Sequence, residues 1–176
     1  SLAPVPFSSS VYLATEAIKS WGTEPQKQHY LPKLATGELI GTLAMNEGLG
    51  SPSVAARVCE GKLTAEKIPV PDGDIADFTV LTACNEQGCV GLYVVDLADA
   101  GVQRKTLTSM DPSRSQARLV FDNVQAQALG VAGETQLTEL LDRVAVLLAF
   151  EQIGGCQAAL DMGIAYTKER YAFGRP

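Results

Sequence analysis

Residues 151–176 read EQIGGCQAALDMGIAYTKERYAFGRP and complete a helical pattern that begins at about Glu134. Apolar residues recur along this pattern at steps of three and four, which predicts one long helix with an apolar face. They include Leu137, Leu140, Leu141, Val144, Leu147, Leu148, Ile153, Cys156, Leu160 and Ile164. Gly154 and Gly155 would each weaken an isolated helix by about 1 kcal/mol, so we expect them to allow close approach of another helix.

Upstream of this helix, between Ile40 and about Val124, the apolar period changes to two. Three β-branched runs bounded by turn residues predict strands at 77–83, 90–97 and 117–124. Shorter candidate strands lie at 39–45, 54–58, 62–68 and 102–107. Six or seven short strands at this spacing indicate a small barrel or sandwich.

A helical pattern over residues 8–36 precedes the strands. Thr23 and Gln26 fit a capping box, Pro25 sits in the first turn, and Gly37 ends the helix. The order of elements therefore predicts an α+β protein with a helical N-terminal segment, a middle β-domain and a long C-terminal helix. We place these parts at 1–37, 38–130 and 131–176, with a linker at 125–136.

The composition of the chain limits its function. Its 176 residues are 46% hydrophobic and 19% charged, which allows one domain or two small ones. A net charge of −6 argues against nucleic-acid binding, and we expect no apolar run long enough to span a bilayer. The first residues, SLAPVPFSSS, contain no Met and no leader, so we expect both ends to be cut from a longer protein.

The four cysteines, Cys59, Cys84, Cys89 and Cys156, lack metal-ligand spacing, so we expect no metal site. Cys84 and Cys89 could meet across a hairpin, but buried or incidental thiols of a cytoplasmic protein are the favoured interpretation.

Two loops could carry chemistry. The stretch 43–53, LAMNEGLGSPS, follows a predicted strand, and its backbone N–H groups and hydroxyls could cradle a phosphate or a flavin edge. Most Gly/Ser loops are only turns, however, and that interpretation leads here. The stretch 67–77, KIPVPDGDIAD, reads as a rigid turn, with Asp72, Asp74 and Asp77 as turn residues.

The C-terminal residues allow two interpretations. Arg170 lies at a helix end, where a cation is favoured by the helix dipole alone. Arg170 and Arg175 could instead bind a diphosphate through bidentate contacts. His29, the only histidine, lies in a polar helix start and reads as a surface residue rather than a base.

Four segments in order resemble the acyl-CoA dehydrogenase family. GTEPQKQHYLPKLATGELIGTLAMNE resembles the lead into the family's middle β-domain, and GKLTAEKIPVPDGDIAD resembles its Gly-x-Lys-x-Trp-Ile-Thr-Asn-Gly stretch. MDPSRSQARLVFDNVQAQALG resembles the strand and linker that leave that domain. Residues 151–176 resemble the first long helix of the C-terminal four-helix bundle and are the most specific match.

The resemblance implies a fold, a cofactor and a reaction. Family members have an N-terminal helical domain, a middle β-barrel and a C-terminal bundle, and they bind FAD between barrel and bundle. They dehydrogenate acyl-CoA thioesters in lipid metabolism and fatty acid β-oxidation, as dimers of dimers oxidised by an electron-transfer flavoprotein. Cofactor-binding residues would be Met45, Asn46, Ser51, Arg170 and Phe173, the last two reaching a neighbouring subunit's FAD.

The chain also departs from the family pattern. The family's Thr-Glu-Pro loop reads Asn46-Glu47-Gly48, in which Asn46 can still donate to a flavin ring. Pro69 and Pro71 stand where the family has Trp and Thr, so an indole face and a hydroxyl are missing. A divergent subset of the family, many of whose members are from actinobacteria, has a similar Val-Pro-Asp sequence. Some members of this subset pair with a different dehydrogenase subunit.

No catalytic base is assigned within the chain. In most family members the glutamate lies beyond the position of Pro176, and in a minority it aligns near Val144. Asp142 and Glu151 flank that position without aligning to it. The leading hypothesis is a segment of an FAD-dependent acyl-CoA dehydrogenase. The alternatives are a supporting subunit of a hetero-oligomer with a weakened flavin site, and a scaffold module without chemistry.

Overall fold

The structure, a computed structural model, describes residues 5–48, 54–111, 113–133, 135–171 and 173–174. Helices come first, a curled eight-stranded sheet follows, and one long helix closes the described chain. The predicted order of α, β and long α is thus confirmed.

The N-terminal helices comprise a π-helical segment (Ser8–Thr15), α1 (Glu16–Trp21) and α2 (Glu24–Thr36). Thr23 and Gln26 form the expected capping box, in which each side chain bonds the other residue's backbone N–H. Gly37 ends α2 at a φ of 74°, a left-handed conformation that favours glycine.

In chain order, the strands are β1 (Gly41–Ala44), β2 (Arg57–Cys59), β3 (Lys62–Pro71), β4 (Phe78–Cys84), β5 (Val90–Asp96), β6 (Val102–Thr106), β7 (Gln116–Gln125) and β8 (Gln127–Ala128). They pair in the order β6-β7-β3-β2-β4-β5-β8, and β1 lies parallel to β4. The linker expected at 125–136 is wrong in its first part, because Gln127 and Ala128 pair with Val94 and Tyr93.

Two apolar clusters pack against the sheet, one inside its curl and one on its outer, helix-covered face. Leu81 and Phe121 belong to the inner cluster, whereas Phe78 and Val80 pack with the N-terminal helices. Every residue of β4 is buried, because this strand is covered on both faces. This double burial explains why its sequence reads as a nearly continuous apolar run.

The long helix α3 (Thr135–Glu169) is attached to the sheet at its N-terminal end only. The buried side chain of Gln136 accepts from Leu92 N–H at 3.3 Å and donates to the Leu129 carbonyl at 2.8 Å. Leu140 and Val144 pack into the outer cluster. From Leu148 onward each described residue of α3 is exposed.

Contrary to the expectation that no apolar run could span a bilayer, α3 is long and apolar enough to do so by length and composition. The core helix of a soluble protein passes the same test, so this property alone assigns no membrane location. The cysteines are all free, and Cys84 alone is buried.

Candidate functional site

The two loops singled out in the sequence lie side by side. Ile68 N–H donates to the Asn46 carbonyl at 2.8 Å, and Gly48 N–H donates to the Ile68 carbonyl at 3.1 Å. Glu47 forms a parallel β-bridge with Ile68. The segment after β1 and the second half of β3 therefore form one edge, the β1–β3 edge. It carries Met45 and Asn46, two of the predicted flavin-contacting residues. It also carries Pro69 and Pro71, which stand where the family has Trp and Thr.

The predicted cofactor-binding residues on this edge differ in exposure. Met45 is half-buried and packs against the outer apolar cluster, whereas Asn46 is exposed. Ser51 lies outside the described residues. Pro69 is exposed and Pro71 is half-buried, and β3 shifts register against β7 between Lys67 and Val70.

A buried lysine lies directly beneath this edge, and sequence reasoning did not assign it a role. Lys67 is 0% exposed. Its ammonium donates to Glu47 Oε1 at 2.5 Å, to Thr82 Oγ1 at 3.2 Å and to the Met45 carbonyl at 3.3 Å. Its three donors thus have three acceptors, which is the condition for burying a charge without a large penalty.

The Glu47 carboxylate has further partners. Oε2 accepts from Ala55 N–H at 2.6 Å, and Oε1 accepts from Ala56 N–H at 3.2 Å. Burial pushes the pKa of Glu47 up, but the bonds from Lys67 and these two amides hold that pKa below its ordinary value. Burial lowers the pKa of Lys67, and Glu47 opposes this effect.

The acidic residues read as turn residues also connect separate parts of the chain. Asp72 is buried, pairs with Arg114 at 2.8 Å and accepts a hydrogen bond from Ser9 in the π-helical segment. Asp77 Oδ2 accepts from Ile40 N–H at 2.7 Å. The turn after β3 therefore fastens the N-terminal helices to the sheet, which local sequence could not indicate.

The C-terminal candidates are exposed at the end of α3. Arg170 donates to the Tyr166 hydroxyl, and its guanidinium lies 5.4 Å from the centre of that ring. Both Arg170 and Phe173 are exposed, with Phe173 at a φ of 51°. Within the part of the chain that the structure describes, neither residue contacts Met45 or Asn46, and Arg175 lies outside that part.

Val144 and Glu151, both considered in connection with a catalytic base, lie on the helix-covered side of the sheet. Val144 is buried in the outer cluster and has no ionisable group. Glu151 lies beside Tyr12 of the π-helical segment, and burial together with the Glu151 carboxylate raises the pKa of Tyr12. Among the described residues there is no cluster of His, Cys, Asp or Glu that could hold a metal ion.

Comparison with known proteins places this geometry in a family. The model of the acyl-CoA dehydrogenase N-terminal domain matches residues 2–38. The mitochondrial isovaleryl-CoA dehydrogenase of Solanum tuberosum is 31% identical over 174 residues, covering 88% of this chain and 42% of that protein.

Two solved structures have the same fold over nearly the whole chain. A glutaryl-CoA dehydrogenase from Mycobacterium smegmatis in complex with FADH2 has a TM-score of 0.84 at 24% identity, covering 96% of this chain and 47% of that one. The ChsE4-ChsE5 complex from Mycobacterium tuberculosis has a TM-score of 0.85 at 26% identity, covering 99% of this chain and 48% of that one.

The chain spans about half the length of the curated relatives it matches. Its helical start, its curled sheet and its long helix occur in the same order as in these proteins. The chain belongs to the acyl-CoA dehydrogenase family.

Proposed function

We propose that this chain is a segment of a protein that removes two hydrogens from an acyl-CoA thioester with FAD as the oxidant. The observation that carries this function is the β1–β3 edge, where backbone pairing fixes the exposed Asn46 beside Ile68. Relatives named isovaleryl-CoA dehydrogenase and acyl-CoA dehydrogenase support the same reaction class.

The residues present fit part of an FAD site. Asn46 offers an exposed amide that can donate to a flavin edge, and half-buried Met45 offers an apolar contact beside it. Arg170 offers a guanidinium suited to a diphosphate. Because Arg170 and Phe173 are exposed at the end of α3, they are free to reach the site of a neighbouring subunit.

Bound FAD would supply the two-electron acceptor: the substrate loses a proton from Cα and a hydride from Cβ, its single bond becomes double, and the flavin is reduced. The residues of this chain would bind and orient the FAD. We assign no base for the Cα proton within residues 1–176, since Val144, the position that aligns in a minority of the family, is not ionisable.

The test is a turnover assay of the full-length protein with short, branched and long acyl-CoA thioesters and an electron-transfer flavoprotein as oxidant. We expect a product that lacks two hydrogens, measured by mass spectrometry. Recovery of unchanged thioesters with every chain length, in the presence of bound FAD, would contradict the proposal.

A second candidate is a supporting subunit of a hetero-oligomer. Pro69 and Pro71 favour it, because neither offers the indole or the hydroxyl of the family pattern and Pro69 is exposed on the β1–β3 edge. The similar ChsE4-ChsE5 complex is itself built from two different chains. Flavin counted per subunit discriminates: one FAD per chain in the homo-oligomer supports the enzyme, whereas FAD bound only in a mixed complex supports this candidate.

The remaining assignments follow from the proposed function. The parts 1–37, 38–130 and 131–176 would be the end of the N-terminal domain, the β-domain and the start of the bundle. The protein would act in the cytoplasm in fatty acid β-oxidation, as a homo- or hetero-oligomeric dimer of dimers.

A further inference from the structure

The buried ion pair beneath the β1–β3 edge connects three separate stretches of the chain. Lys67 comes from β3, Glu47 follows β1, and the Ala55 and Ala56 amides precede β2. Glu47 has a side chain only 10% exposed, so water competes little for these bonds.

We propose that the Lys67–Glu47 pair positions the cofactor-contacting residues Met45 and Asn46, which deepens the proposed function and rests on it. Lys67 holds Met45 directly through its carbonyl and holds Asn46 through the adjacent Glu47. The next residue along β3, Ile68, donates to the Asn46 carbonyl and accepts from Gly48 N–H, so its backbone bonds flank Glu47. Lys67 is therefore a positioning residue, since its fully buried ammonium cannot itself touch a ligand on the surface.

The physical reason is that this pair fixes the position of the segment that follows β1. A buried ion pair adds little net stability over apolar residues, but its bonds have specific directions and favour a single arrangement. Here carboxylate Oε1 accepts from the Lys67 ammonium and from Ala56 N–H, and Oε2 accepts from Ala55 N–H. Residues 45–47 and 55–56 are thus held in one relative position without any strand pairing between them.

The chain offers a control in a second ion pair whose carboxylate is buried, although its cation is 30% exposed. Arg114 and Asp72 pair at 2.8 Å, with the carboxylate side chain 4% exposed, and this pair fastens the N-terminal helices instead of the β1–β3 edge. Lys67→Met and Arg114→Met each leave a buried carboxylate without its cation. A loss of flavin that follows from lost stability alone would therefore appear in both variants.

The experiment uses the full-length protein, with a partner subunit if FAD binding needs one. FAD is titrated into the apoprotein, and amide hydrogen exchange is followed at Ala55 and Ala56. For Lys67→Met we expect an FAD Kd raised about tenfold or more, with faster exchange at both amides. For Arg114→Met we expect a Kd within about twofold of the unsubstituted protein and unchanged exchange at these amides.

Several results would overturn the positioning role. These are unchanged FAD affinity in Lys67→Met, equal weakening in both variants, or unchanged amide exchange in Lys67→Met. Failure of the proposed function looks different: the unsubstituted protein then takes up no FAD with any partner. Faster exchange in Lys67→Met without any FAD binding would reduce the pair to a purely structural one.

Discussion

At the scale of single residues, the Glu47–Lys67 pair is the feature that sequence reasoning least anticipated. Both residues belong to motifs that were recognised, but their meeting depends on the parallel pairing of the chain after β1 with β3. A lysine in a strand usually points to solvent. Its burial follows from tertiary pairing, which no local pattern encodes.

The pair should make the stability of the full-length protein depend on acid pH. The folded pKa of Glu47 lies below its ordinary value of 4.5, so its stabilising effect is complete above that value and lost as pH falls through the folded pKa. We expect Glu47→Gln to be less stable at pH 7 and to approach the unsubstituted protein as the pH falls below 4.5 and through the folded pKa of Glu47. Urea unfolding across this range measures the difference.

Glu66→Gln is the control for this pH effect. Glu66 also pairs with a cation, Arg118, at 2.6 Å, but the two side chains are 46% and 40% exposed and solvent screens them. A pH-dependent difference as large for Glu66→Gln as for Glu47→Gln would contradict a special role of the buried pair.

At the scale of elements, the capping residues and the apolar periodicity of the sequence predicted most helices and strands correctly. The capping box of α2 lies where Thr23 and Gln26 predicted it, and β4, β5 and β7 lie within one residue of the predicted runs. The two-residue β8 was missed because it forms only through pairing with β5. The site was predicted as separate loops, and only the fold brought the β1–β3 edge together.

Removing the α2 cap should have a measurable cost. Thr23→Ala loses the hydroxyl that accepts from Gln26 N–H, and we expect it to lower the free energy of unfolding by about 1 kcal/mol. Thr36→Ala is the control, because Thr36 bonds only to carbonyls of its own helix and is exposed. Equal effects of the two substitutions, measured by urea unfolding, would refute the capping role.

The glycines of α3 provide a test of its packing in the complete protein. A Cβ placed on Gly154 meets nothing within 4 Å in the described chain, so propensity alone would favour alanine by about 1 kcal/mol. If another helix approaches there, as we expect, Gly154→Ala instead lowers the thermal midpoint of the full-length protein.

Gly163 is the matched control, because it lies nine residues on and about half a turn around α3. A Cβ on Gly163 also meets nothing within 4 Å. Stabilisation by Gly154→Ala equal to that by Gly163→Ala would mean that no helix packs closely against Gly154.

At the scale of the whole molecule, the described chain has an exposed apolar surface on α3 that another protein segment could cover. The far half of α3 is exposed and carries large apolar side chains, with Phe150 at 71% and Ile153 at 64%. Arg170 and Phe173 follow this helix and are also exposed. These features agree with a family in which comparable chains are about twice as long.

The most direct test of the proposed function is the visible absorption spectrum of the purified full-length protein, alone and co-expressed with related subunits. We predict a flavin band that bleaches when an acyl-CoA thioester is added without oxygen. A band from the protein alone would support a self-sufficient enzyme, and a band only with a partner would support the mixed oligomer. The absence of flavin in every combination would contradict the proposed function.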